Sequence, residues 1–193
     1  MTRLRSAVVF IVVLMASLAA CGAWAEPPAA ERSGSGSIEV AFTPRDRIDR
    51  LIVGEIDRAR HDVTVNAFSF TDRSIARALV RARQRGVQVR VLADREQARA
   101  LPQSVFADLV AGGVEVWLDS NFQAAHNKVI VVDAELPRAT TITGSYNFTI
   151  AAQRSNAENV IVLRENPAIA RAYLDNWSRL QAKATPWGEI VRP

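Results

Sequence analysis

From residue 38 onward, apolar positions follow two alternating rhythms. In residues 46–60, Ile48, Leu51, Ile52, Ile56 and Ala59 recur three and four apart, with Arg and Asp between them. That spacing predicts an amphipathic helix. Short apolar runs at 38–42, 63–70, 87–93, 114–118, 128–132, 140–143 and 159–163 predict strands. Further helices are expected between Thr71 or Asp72, either of which can cap, and Arg85, where Gly86 suits the stop. Two more are expected over 102–111 and from Pro167 to about 182, the last carrying Ile169, Tyr173, Trp177 and Leu180. Strands separated by helices of this length predict an α/β fold, with a mixed, mostly buried sheet between helical layers in one domain. The run 129–132 is apolar on both faces, as a central covered strand should be.

The first 37 residues break that pattern. Arg3 and Arg5 precede an apolar run from Ala7 to Ala20, and Ala23-Trp24-Ala25 forms a small-x-small site. Residues 1–25 are expected to be a signal peptide, which sends the protein to the periplasm or outside the cell. Leu18-Ala19-Ala20-Cys21 also resembles a lipoprotein box, the alternative being an anchor through Cys21. Residues 26–37 (EPPAAERSGSGS) read as a flexible linker, 38–184 as the catalytic domain and 185–193 as a C-terminal tail.

Composition narrows the chemistry. Cys21 is the only cysteine, so an intramolecular disulfide is excluded, and cleavage after Ala25 excludes a Cys-based zinc site or a cysteine nucleophile. Loss of Arg3 and Arg5 with the leader lowers the formal charge from +4 to +2. Such a charge supports weak attraction to polyanions and no more.

The chemistry concentrates in AHNKVIVVD, Ala125 to Asp133. His126 and Lys128 sit two apart on a strand and share a face, whereas Asp133 has the opposite parity and suits tying down neighbouring backbone. Lys128 is one of two lysines against 22 arginines, which suggests selection for a compact charge. Eleven residues after Asp133 comes Gly144, which lets backbone approach closely, followed by Ser145 and Asn147, which offer a hydroxyl and an amide. Glu158 stands at the mouth of the strand NVIVL. Imidazole can attack phosphorus, lysine and asparagine can hold non-bridging oxygens, and a carboxylate can orient the ring. His61, unpartnered in sequence, and Lys183 are read as ordinary surface residues. The arginines between Arg77 and Arg85 can contact phosphate, but their alternation along a helix also suits a solvated face. Trp117, Trp177 and Trp187 read as packing aromatics, and Tyr146 is left open between substrate contact and packing.

The set H-x-K-x4-D (His126, Lys128, Asp133), G-S-x-N (Gly144 to Asn147) and Glu158-Asn159 resembles the phospholipase D superfamily. Among its members, the short single-motif ones of the bacterial periplasmic endonuclease type are the most similar. Ser74 to Asp94 resembles the helix and strand that precede the site, and the likeness extends from Ile38 to about Ala182. The resemblance implies that His126 becomes a covalent phosphohistidine, that Lys128 and Asn147 bind phosphate, and that Glu158 orients His126. Ser145 would contribute to substrate binding, and Asp133 and Gly144 would be structural. It further implies that no metal or other cofactor is used. A homodimer would supply the second histidine across a two-fold axis. One departure is the long spacer 134–143, with Pro137 in it, read as a longer turn. Three functions follow in order of preference: a sequence-nonspecific endonuclease on DNA, with RNA as a further candidate; a phospholipase D on phosphatidyl lipids; an inactive nucleic-acid-binding relative.

Overall fold

The computed structural model describes residues 36–190. The expected leader, Cys21 and most of the linker lie outside them. The elements run β1 (Ser37–Phe42), α1 (Ile48–Arg58), β2 (Asp62–Ala67), α2 (Arg73–Gln84), β3 (Gln88–Asp94), α3 (Arg95–Ala100) and α4 (Phe106–Ala111). They continue β4 (Glu115–Asp119), β5 (Lys128–Val132), β6 (Thr140–Gly144), α5 (Ile150–Arg154), β7 (Asn159–Arg164), α6 (Pro167–Gln181), β8 (Thr185–Pro186) and α7 (Trp187–Ile190). The eight strands form one mixed sheet in the order β1-β7-β6-β5-β2-β3-β4-β8. Only β2–β3 and β3–β4 are parallel.

Strand parity decides which helix covers which side. Val63 and Val65 of β2 and Ile130 and Val132 of β5 join Ile52 and Ile56 of α1, Leu79 of α2 and Leu109 of α4 in the larger core. Val129 and Val131, one residue out of phase, meet Ala170, Tyr173 and Leu174 of α6 on the other side. Helices therefore flank both faces of a buried α/β sheet, and β5 is buried at every position.

Three differences from the sequence reading have physical causes. Of residues 102–111 only 106–111 are helical, with Pro102 in the turn before α4, and an additional helix, α3, precedes them, capped by Asp94, whose side chain accepts from Gln97 N. A five-residue helix, α5, follows the Ser145–Thr149 loop, capped by Thr149 accepting from Ala152 N; it is too short to show an apolar period. Residues beyond 184 are tied in, since Thr185 and Pro186 pair with Leu118 and Trp117. Trp187 packs near Phe106 at 6.2 Å between ring centres.

Candidate active site

The site forms where β5 and β7 begin, β6 ends and β2 ends, because antiparallel pairing brings those termini to one edge of the sheet. Lys128 opens β5 opposite Ala67, the last residue of β2. His126 lies just before the strand, its loop held by Ala125 N donating to Asp94 Oδ2 at 2.9 Å. The imidazole is exposed, and its ring centre lies 4.4 Å from that of Phe68. Lys128 is buried, with Nζ 2.9 Å from His126 Nδ1 and 3.0 Å from Nε2. The ammonium also donates to the His126 carbonyl at 2.9 Å and sits 5.0 Å from the Phe68 ring centre. Burial pushes the lysine below its ordinary pKa, and the nearby Glu158 carboxylate opposes that only in part.

A second group faces them from β6 and β7. Ser145 Oγ donates to Glu158 Oε2 at 2.6 Å and accepts from Asn159 N at 3.1 Å. Asn156 Nδ2 donates to Glu158 Oε1 at 2.9 Å. The Glu158 backbone is clamped to Thr43, its N–H donating to Oγ1 at 2.9 Å and its carbonyl accepting from Thr43 N at 3.0 Å. Within the chain, Glu158 is thus bonded to Ser145 and Asn156 rather than to His126, and it meets the other group through the charge of Lys128. Asn147 is half-buried, with Oδ1 buried and unpartnered. Gly144 is required by contact: a Cβ there would collide with the Asn159 carbonyl oxygen across the β6–β7 pair.

Asp133 stands at the other end of β5, buried, and accepts from the backbone N–H groups of Arg60, His61 and Asp62 and from Arg138 Nε and Nη2. Burial alone would raise its pKa; the N–H donors of His61 and Arg60, with Arg138, outweigh it and hold the carboxyl below the ordinary range. The Asp133 backbone turns at φ 51, opening the long β5–β6 turn, which closes through Leu136 N to Asp133 O and Ala139 N to Leu136 O. His61 takes part through its main chain only in the contacts that hold Asp133 and β3.

Other residues here carried no sequence signal. Phe68, Asp94, Thr43 and Asn156 position the histidine and the glutamate; the first three join the site from distant parts of the chain, and Asn156 lies two residues before Glu158. Tyr146, between Ser145 and Asn147, points into the larger core. A polar hollow of about 340 Å³ beside His126 is lined by Asn66, Asp119, Asn127 and Asn176. Among the described residues, no three His, Cys, Asp or Glu side chains come together in a way that could hold a metal ion.

Residues 52–180 match the family described as cardiolipin synthase, PLD-like domain. The chain belongs to the phospholipase D superfamily. Within that superfamily it is 39% identical over 145 residues to a phospholipase D of Rickettsia felis, covering 75% of this chain and 70% of the relative. A mitochondrial cardiolipin hydrolase of Xenopus laevis is 34% identical over 137 residues, covering 71% of this chain and 62% of that one. The solved structure of Nuc, a phospholipase D family member from Salmonella typhimurium, superposes with a TM-score of 0.73 at 33% identity. It matches 78% of this chain and 97% of that one. NucT from Helicobacter pylori shares the fold at 20% identity and a TM-score of 0.67, covering 78% of this chain and all of its own length (100%). As a member of this superfamily, the chain is a phosphodiesterase with the Nuc fold.

Proposed function

We propose that the protein is an exported, metal-independent, sequence-nonspecific endonuclease working through a phosphohistidine. The contact between His126 and Lys128 carries this reading. It puts a nucleophile and a phosphate-binding cation within one hydrogen bond of each other at an exposed edge. A ring nitrogen of His126 attacks phosphorus, and the P–O bond to the leaving group breaks. Lys128 Nζ turns from the imidazole to a non-bridging oxygen, and the Asn147 amide takes another. Histidine from a second copy protonates the leaving oxygen, then accepts a proton from the water that attacks the phosphohistidine and frees His126. Two observations support the two-fold arrangement. The chain carries one copy of the motif, and Ile38, Val40, Phe42 and Ile161 form an exposed apolar strip on the face of β1 and β7 beside Glu158. The length match to Nuc over 97% of that chain favours a compact nuclease of one motif per subunit.

A lipid phosphodiesterase is the second reading, favoured by the names of the Rickettsia and Xenopus relatives, with the same chemistry. The two separate in one experiment. Purified protein and its His126→Ala variant, both in EDTA, are given supercoiled plasmid and, separately, phosphatidyl lipid vesicles. Nicking of plasmid by the unmodified protein alone, with lipid intact, is the expected result. Headgroup release with plasmid intact overturns the nuclease reading in favour of the lipid one.

A further inference from the structure

On the α1–α2 side of the same sheet edge lies a cleft of about 520 Å³ that the chemistry above does not use. Its walls include Pro44, Arg47, Asp72, Arg73, Arg77 and Arg154. The acids there are committed. Asp49 holds Arg47 through two hydrogen bonds of 2.9 and 2.6 Å. Asp72 caps α2, accepting from Ser74 N, Ser74 Oγ and Ile75 N. Among the described residues, Arg73, Arg77 and Arg154 are exposed and have neither an acid nor a hydrogen-bond partner. Farther along the same stripe of α2 the pattern differs: Arg81 pairs with Asp57 at 2.8 Å and Arg85 lies 3.7 Å from the same carboxylate. Arg73 is also the first residue of α2, where the helix dipole disfavours a cation. Free guanidinium groups are therefore gathered at the end of α2 nearest the catalytic edge, at a position helix stability does not favour.

The cleft is joined to that edge by backbone bonds. Thr71 N and Asp72 N both donate to the carbonyl of Phe148, the residue after Asn147. Arg154 ends α5, the helix that follows the same loop. Pro44 follows Thr43, the residue clamped to Glu158. Beneath, Tyr146 turns its ring away from its neighbours Ser145 and Asn147. Its hydroxyl is buried without a partner, within electrostatic reach of Asp72, Asp49 and Arg47.

We propose that Arg73, Arg77 and Arg154 form a subsite for phosphates flanking the scissile one on the same nucleic-acid strand. This rests on the nuclease reading. Guanidinium groups suit bidentate phosphate contacts, and a concave cleft bonded through its backbone to the loop that carries Asn147 suits an extended polyanion better than a flat lipid surface. Such contacts fix position without reading sequence, as a nonspecific nuclease requires.

The test combines Arg73→Gln, Arg77→Gln and Arg154→Gln in the full chain, with Arg171→Gln as the comparison, that arginine standing on α6 and pairing with Glu135 of the β5–β6 turn. Binding of a fluorescent 30-nucleotide strand, measured by anisotropy in a His126→Ala background, should weaken about tenfold or more, with the salt slope falling by about 2 to 3. With His126 retained, turnover by the triple variant of bis(p-nitrophenyl) phosphate, which spans only the central phosphate, should stay unchanged and shows that the triple variant is folded. Equal affinity and slope in triple and comparison variants, with plasmid still cut, overturns the subsite alone. Loss of binding to phosphatidylglycerol vesicles with strand binding intact overturns it in favour of a membrane surface. Failure of the unmodified chain to bind or cut nucleic acid at all overturns the nuclease reading with it.

Discussion

Ser145 donates a hydrogen bond from its hydroxyl to Glu158 across 2.6 Å, and with Asn156 it occupies both oxygens of that carboxylate. Glu158 is consequently a fixed negative charge facing Lys128, its geometry set by a serine thirteen positions earlier in the chain.

Ser145→Ala frees one carboxylate oxygen and removes the acceptor for Asn159 N. A hydrogen bond to a charged group contributes roughly 1.5–3 kcal/mol, so kcat on a phosphodiester should fall about tenfold or more. Steady-state kinetics with kcat unchanged would show that Glu158 is held well enough by Asn156 and Thr43.

Lys128 is a buried cation whose pKa burial lowers, so its charged form costs stability in the fold. Lys128→Met should abolish phosphodiester cleavage while raising the melting temperature at neutral pH. The sign with pH follows: the penalty is full below the lowered pKa, shrinks as pH rises through it, and ends above the ordinary value of 10.5. Melts of both proteins from pH 7 upward should converge. A variant less stable than the parent at pH 7 would mean that the contacts to His126 and Phe68 outweigh the desolvation.

Asp133 works in the opposite direction. Its carboxyl lies below the ordinary 3.8, so its contribution is complete above that value and is lost as pH falls through the lowered pKa. Asn tolerates the left-handed backbone at φ 51, so Asp133→Asn isolates the charge. It should cost about 2–3 kcal/mol in urea unfolding at pH 7 and progressively less as the pH falls from 3.8 through the lowered pKa, with turnover per folded molecule unchanged. A loss of turnover in fully folded variant would move Asp133 from scaffold to chemistry.

The apolar strip on β1 is tested by Val40→Asp with Phe42→Asp. Both side chains are 54% exposed, so the single chain should tolerate the change. In sedimentation the parent should run as a dimer and the variant as a monomer with activity lost. A monomeric parent that is fully active would remove the two-fold arrangement.

Much of the site was present in the one-dimensional pattern. His126 and Lys128, two apart in the sequence, meet at 2.9 Å, but His126 and Asp133 both lie outside β5 and Asp133 leaves it at φ 51, so strand parity does not place them; the β5 bounds, Lys128 to Val132, follow from the apolar run behind the lysine. The pattern Gly144 to Asn147 marked a loop where backbone approaches closely, which the β6–β7 contact at Gly144 explains. Helix α5 was illegible because five residues cannot display a period, and the later start of α4, at Phe106 rather than Pro102, was hidden because proline suits the first turn of a helix as well as a turn.

By itself, then, the sequence determined the candidate residues and the strand that Lys128 opens, since both are read from neighbours a few positions apart. Only the tertiary structure decided their partners. Glu158 is bonded to Ser145 rather than to His126, Asp133 reaches the start of β2 from 71 to 73 residues away, and arginines of α2 and α5 gather around one cleft. Those relationships arise from strand order and antiparallel register, which bring distant chain ends to one edge of the sheet and leave no periodic trace along it.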